Sequence, residues 1–224
     1  MGPHLSESLV GREAKPMKSK NDVMRGVRIY LLPLEKKDIE RCRAWVNDRS
    51  LWPFLLREGQ VTRKDQAQWY KRIVSNPGKS VFAIRTRQEG KYIGNTGFYQ
   101  IEPAHRKASF WILIGDKKYW GNGFGTETVR HMIHYGFRSL DLNKIYLDVA
   151  KNNRAAIALY QKSGFSTEGI FKEHCFIQGK YRDVLRMSLL RKNYQLKDFR
   201  HSEEPVRARK NLKARHVYEP PSGT

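Results

Sequence analysis

Tyr119-Trp120-Gly121-Asn122-Gly123-Phe124-Gly125-Thr126, followed at a helical interval by Asn153-Arg154-Ala155-Ala156-Ile157-Ala158-Leu159-Tyr160-Gln161-Lys162-Ser163-Gly164-Phe165, is the stretch that decides how this 224-residue chain is read. The glycine turn lies between a nearly continuous apolar run, 108–114, and a segment, 126–140, in which Val129, Ile133 and Phe137 share one stripe. Strand, glycine turn and helix in that order aim several backbone N–H groups and the positive end of a helix dipole at one point, an anion site built from main chain. Glycine suits the turn because a Cβ would hold a phosphate away. The turn lacks the Gly-Lys-Ser/Thr ending of a nucleotide P-loop, and no acidic residue stands where a dinucleotide fold places one, so those two readings recede.

Outward from this turn, periodicity predicts strands at 27–33, 81–85, 92–101, 108–114, 145–149, 167–176 and 181–190. The first is read as an edge strand. Gln88-Glu89-Gly90 and Gln178-Gly179 mark hairpins, and the unbroken apolar character of 108–114 predicts burial on both faces. Helices are expected from Leu34 through Val46, where Ile39, Cys42, Trp45 and Val46 recur at helical spacing, at 126–140 and at 155–163. Another follows Thr62, where Asp65 completes a capping box and Trp69, Ile73 and Val74 share a face. Residues 47–53 break the first helix, Asn76-Pro77-Gly78 ends the second and Gly164 stops the last. The result is one α/β (α+β) domain, a mixed sheet with helices packed on it, spanning 23–193. Residues 1–22 read as a disordered leader or expression remnant, with Met17 an alternative start, and 194–224 as a flexible basic tail.

Forty-three Lys and Arg against 22 Asp and Glu leave +21, of which only +5 falls in the tail from Arg191 onward. The excess is spread over the body and favours anionic partners. Cys42 and Cys175 form no CxxC pair and read as packed thiols, and His131 with His134 lacks a third ligand, so no metal is expected. No apolar run reaches membrane-spanning length and no secretory signal is present, so the expected location is the cytoplasm.

Tyr119 to Glu127, then Asn153, Ala156, Tyr160, Gly164 and Phe165 at their spacing, resemble the GCN5-related N-acetyltransferase (GNAT) family, and the resemblance covers nearly everything between Val27 and Leu190. The branch it resembles contains ribosomal-protein N-terminal, spermidine and nucleotide-amino-sugar acetyltransferases. Glu168-Gly169, Gly179-Lys180-Tyr181-Arg182-Asp183 and Met187 are similar to that branch's closing pattern, and Trp45, Asn47 and Asp48 to its first helical region. The loop departs from the family in carrying Trp120 where Gln or Arg is usual.

What the resemblance implies is a mostly antiparallel seven-stranded sheet with about four helices, in which acetyl-CoA lies between two splayed parallel strands, 108–114 and 145–149. The pantetheine arm would pair with Ile112, Leu113 and Ile114, and the pyrophosphate would rest on Trp120, Gly121, Asn122, Gly123, Phe124, Gly125 and Thr126. Asn153 would bond the pantetheine amide, and Arg154 or Lys162 would meet the phosphorylated adenosine. Tyr160 matches the family's general acid, the amide of Leu113 or Ile114 is the candidate for the oxyanion, and Glu102 acts as base through water, with Asp183 or His174 as alternatives. The acceptor pocket would be built by Trp45, Asn47, Asp48, Trp52 and Phe54 with Tyr181 and Asp183. The cationic body places a nucleotide-linked amino sugar first among acceptors, a protein N-terminus second, and a polyamine or aminoglycoside third. A small-molecule or peptide amine is therefore the expected partner, a homodimer is admitted, and neither nucleic acid nor membrane is required. A non-catalytic nucleic-acid or ribosome-binding protein on the same scaffold is the competing class.

Overall fold

The computed structural model describes residues 24–75 and 81–194. Within them lie eight strands, β1 (Met24–Arg25), β2 (Ile29–Pro33), β3 (Val81–Thr86), β4 (Tyr92–Glu102), β5 (Lys107–Ile114), β6 (Lys144–Ala150), β7 (Ser166–Ile177) and β8 (Lys180–Leu190). Five helices accompany them: α1 (Ile39–Val46), α2 (Trp52–Leu55), α3 (Arg63–Val74), α4 (Phe124–Arg138) and α5 (Arg154–Lys162). The strands form one sheet in the order β1-β2-β3-β4-β5-β6-β8-β7, antiparallel throughout except for β5 beside β6.

Two counts exceed expectation. Met24–Arg25 folds back on β2 as an eighth strand, so β2 is covered rather than an edge. The 47–53 break contains the start of α2, because Pro53 sits in its first turn, where a missing N–H costs nothing. Leu56, at φ +50°, ends that helix. Other local signals act as read: Thr62 and Asp65 cap α3 reciprocally, and Gln178-Gly179 turns with both φ positive. The Asn76-Pro77-Gly78 stop and both terminal segments fall outside the described residues, except that Tyr194 packs its ring on Phe137 of α4.

Two apolar clusters sandwich the sheet. On one face Phe98, Phe110, Ile145 and Leu147 meet Val129, Met132, Ile133 and Phe137 of α4 and Tyr160 of α5. On the other, Leu113, Ala83 and Tyr92 meet Trp45, Leu51 and Ile73 from the α1–α3 side. Strand β5 therefore feeds both cores, as its apolar run implied. Burial is nevertheless incomplete, since Trp111, Ile112 and Ile114 stay half-exposed. The cause is an open edge, described next. No helix among the described residues is long and apolar enough to cross a membrane.

Candidate active site

β5 and β6 pair only at Lys107–Lys144, Ala108–Ile145 and Ser109–Tyr146. Beyond that point β4 holds β5 as far as Ile114, and β8 holds β6 as far as Ala150. Residues 110–114 and 147–150 thus face each other across a widening gap with no strand between them. Main-chain donors and acceptors on such edges require partners, and an extended ligand carrying amides supplies them as an added strand.

The apex has a local cause. β4 is irregular between Tyr99 and Glu102, with Gln100 at φ +47°, and such a bulge bends its strand and sharpens the twist. Gln100 Oε1 accepts the Tyr146 hydroxyl at 2.8 Å, tying the bulge to the last paired residue of β6. Nothing in the one-dimensional pattern marked Gln100.

Strand parity assigns the amides. Gly115 N–H donates to Ile93 of β4, and residues two apart present their amides to the same side. Leu113 is therefore turned toward β4 and drops out as an oxyanion donor, while Ile112 and Ile114 face the gap. Ile112 is the nearer of the two to the apex.

At the open end, the chain leaves β5 through one tight turn, Lys117–Tyr119, and enters the glycine loop. Trp120 is exposed, but its indole N–H bonds Ile114 O at 2.7 Å, so this departure from the family pattern braces the loop against β5. Asn122 Nδ2 bonds Lys118 O at 3.1 Å. Gly121 and Gly123 have φ of +73° and +82°, and Gly123 caps α4 without a side chain, leaving the first-turn amides of Phe124, Gly125 and Thr126 uncapped. Gly125 lets α4 approach Leu159 of α5.

One cation at this loop was missed. The Arg28 guanidinium lies 3.8 Å from where a Gly123 Cβ would stand, and it is more than half exposed. A cation at the positive end of a helix is unfavourable by itself. Its nearest compensation is Glu127 Oε2 at 3.7 Å from Arg28 Nη1, and Glu127 also accepts the Arg28 backbone N–H at 2.9 and 3.2 Å.

Asn153 caps α5, with Oδ1 accepting Ala156 N–H at 3.2 Å, which leaves its Nδ2 to donate elsewhere. Arg154 and Lys162 are exposed on one stripe of α5, about 12 Å apart by helix rise, so they serve different points. Tyr160 is 7% exposed, with its ring edge-on to Phe110 and tilted against Phe165. Phe110 is the first β5 residue past the last paired position, which puts Tyr160 at the apex. Burial with no compensating charge pushes its phenol above the ordinary range, so it is protonated at neutral pH.

The acceptor-side segments do converge. Gln178, at the β7–β8 turn, bonds Glu58 Oε2 through its backbone N–H and Arg49 O through its side chain. Several predicted pocket residues are already engaged, however. Trp45 and Trp52 are buried, Trp45 so close under Gly115 that no Cβ fits there. Asn47 locks Val61 through both its side-chain atoms. Asp48 is bonded by Ser50 and Lys117 and held near a pKa of about 2. Asp183, bonded by the Glu173 N–H and Lys151, is likewise held at about 2, with its side chain already engaged. Phe54 and Tyr181 remain exposed. Glu102, half-exposed, pairs with Lys107 at 3.2 Å and lies close enough to the apex for its charge to act on the Tyr146 phenol. Exposed His174 packs its ring, tilted, against Phe171. Cys42 is a packed thiol, raised to about 11 by burial, and among the described residues no three of His, Cys, Asp and Glu converge as a metal site.

A model of the acetyltransferase (GNAT) domain matches residues 28–166. Spermidine N(1)-acetyltransferase of Escherichia coli K12 is 31% identical over 166 residues, covering 74% of this chain and 88% of that protein. The spermidine N(1)-acetyltransferase of Vibrio cholerae is 30% identical over 167 residues, covering 75% and 95%. The crystal structure of spermidine N-acetyltransferase from Vibrio cholerae in complex with CoA and spermine superposes with a TM-score of 0.70 at 31% identity, covering 74% of this chain and 97% of that one.

Proposed function

Because the chain belongs to the GNAT acetyltransferase family and is an acetyl-CoA-dependent N-acetyltransferase, we propose that it acetylates a primary amine of a polyamine, directly and without a covalent enzyme intermediate. The gap between β5 and β6 carries the catalytic part of this reading. The likeness to spermidine acetyltransferases over nearly their whole length supports the acceptor, and it reverses the order drawn from charge, which put a nucleotide-linked amino sugar first. Net charge is a weak guide to the acceptor for a physical reason. The excess is spread over the body, whereas an acceptor responds to the groups within a few ångströms of the apex, where screening is weakest.

In this reading the pantetheine arm pairs with the Ile112 and Ile114 edge, and Asn153 Nδ2 donates to one of its amides. The diphosphate rests on the amides between Gly121 and Thr126, with Arg28 above them. The amine enters from the α1–α3 face and loses its proton through water to Glu102. The neutral nitrogen then attacks the acetyl carbon, and Ile112 N–H donates to the oxygen as it becomes negative. As the carbon–sulfur bond breaks, the sulfur leaves as a thiolate that accepts a hydrogen bond from the Tyr160 hydroxyl, and the attacking nitrogen sheds its extra proton to water. Burial makes this phenol a reluctant proton source but leaves the hydroxyl intact as a hydrogen-bond donor throughout the pH range of the reaction.

Thiol release from acetyl-CoA, measured against spermidine, spermine, a nucleotide-linked amino sugar and a peptide N-terminus, tests the assignment. The highest kcat/KM is expected with a polyamine. A clear preference for the sugar or the peptide would overturn the acceptor, and release only in the presence of RNA would overturn the whole reading.

A further inference from the structure

Tyr99 of β4 and Trp111 of β5 stack face to face, with centroids 5.2 Å apart and planes 7° from parallel. The Trp69 indole N–H of α3 reaches the Tyr99 hydroxyl at 3.4 Å. Tyr99 is 36% exposed and the two tryptophans are partly so, which leaves an open aromatic surface on the α1–α3 face of the sheet. The Trp111 indole N–H is shut away from water and has no acceptor among the described residues, a feature that simple core packing does not account for.

The location matters. Tyr99 is the register partner of Ser109, the last β5 residue paired to β6, and Trp111 stands two residues along the free edge, about 7 Å by strand rise. Side chains alternate along β5, so Phe110 turns toward Tyr160 while Trp111 lies on the opposite face. An acceptor entering over the stack reaches the apex without crossing the pantetheine edge.

Charge narrows the ligand. Arg41 lies over Trp45, Arg49 over Trp52, Lys91 and Lys118 over Tyr119, and Arg186 over Tyr146 and Phe171. Among the described residues no Lys or Arg lies over Tyr99, Trp111 or Trp69. Arg72 influences the Tyr99 phenol from α3 but covers no ring. In a chain of +21, no Lys or Arg among the described residues covers these rings.

We infer that Tyr99, Trp111 and Trp69 form a cation–π subsite that holds the second, non-reacting ammonium of the acceptor and so selects diamines and polyamines over monoamines. Only the amine being acetylated must be neutral. The other keeps its charge, and a π face attracts an ammonium while repelling a phosphate or carboxylate. The inference rests on the polyamine reading and specifies how that acceptor is held.

The test compares a diamine with an alkyl monoamine of equal length, in the native protein and in Trp111→Leu and Tyr99→Leu. The native protein should prefer the diamine, and each substitution should raise the diamine KM about tenfold, in line with a partly desolvated cation–π contact. The monoamine KM should move much less, and the KM for acetyl-CoA should hold. An unchanged diamine-to-monoamine ratio in both variants would overturn the subsite while leaving the acetyltransferase reading intact. If the native protein acetylated no amine, the functional reading would fail, and the subsite would then be read alone. Tetramethylammonium should quench indole fluorescence in the native protein and not in Tyr99→Leu, which retains every tryptophan. Equal quenching in both, or none in the native protein, would overturn it.

Discussion

Tyr160→Phe isolates one atom. The Tyr160 hydroxyl has no hydrogen-bond partner among the described residues, and phenylalanine keeps the ring contacts with Phe110 and Phe165. Removing a hydroxyl that makes no bond to the described residues is near neutral for folding, so the urea midpoint should move little. The catalytic loss has a different origin, since in the proposed mechanism the hydroxyl donates to the sulfur only as charge develops there. Loss of a positioned proton or hydrogen-bond donor lowers turnover about 10²-fold or more, and 10²-fold corresponds to about 2.7 kcal/mol of transition-state stabilisation. Thiol release under saturating acetyl-CoA, paired with equilibrium binding of acetyl-CoA, separates the two effects. The expected result is a kcat at least 10²-fold lower with acetyl-CoA affinity within about twofold. The pH profile adds a sign. Burial raises the phenol above its ordinary value of about 10, so the protonated, competent form persists below that value and no alkaline limb assigned to Tyr160 should occur there. An unchanged kcat would refute the assignment, and a native alkaline limb near pH 8 that disappears in Tyr160→Phe would refute the raised phenol.

Substitutions at Gly123, Arg28 and Asn153 probe the cofactor side. Gly123→Val places a branched side chain at φ +82° beside the loop amides, and acetyl-CoA affinity should fall at least tenfold by calorimetry. Gly59→Val, at φ +88° with nothing within 4 Å, carries comparable backbone strain away from the loop and should leave affinity unchanged. Arg28→Gln should raise the acetyl-CoA Kd about three- to tenfold and flatten its dependence on salt, and an identical salt slope would remove Arg28 from the diphosphate. Asn153→Asp keeps the α5 cap but loses the donor, so affinity should drop with stability held, whereas Asn153→Ala should also cost about 1 kcal/mol in urea unfolding. Equal affinity in Asn153→Asp and the native protein would show that Nδ2 does not contact the pantetheine.

What could be read from the chain followed local chemistry. The glycine turn, the α3 capping box and the Gln178-Gly179 hairpin each depend on residues close in sequence, and each stands where spacing put it. The features that were missed depend on chain paths meeting across long separations. The Gln100 bulge has no local signature in the strand read over 92–101, Arg28 reaches the glycine loop from 95 positions away, and Trp69, Tyr99 and Trp111 come together only after β4, β5 and α3 pack. Asn47, Asp48 and Asp183 were recognised as important positions, but the pattern could not show that neighbouring amides and lysines already occupy their side chains.

Hydrogen exchange at the β5 amides, resolved by residue with and without acetyl-CoA, bears most directly on the gap between β5 and β6. In the free protein Leu113, bonded to β4, should be protected while Ile112 and Ile114 exchange freely. Saturating acetyl-CoA should protect Ile112 and Ile114 strongly and leave Leu113 as it was. Exchange at Ile112 and Ile114 that stays as fast in the acetyl-CoA complex as in the free protein would contradict it.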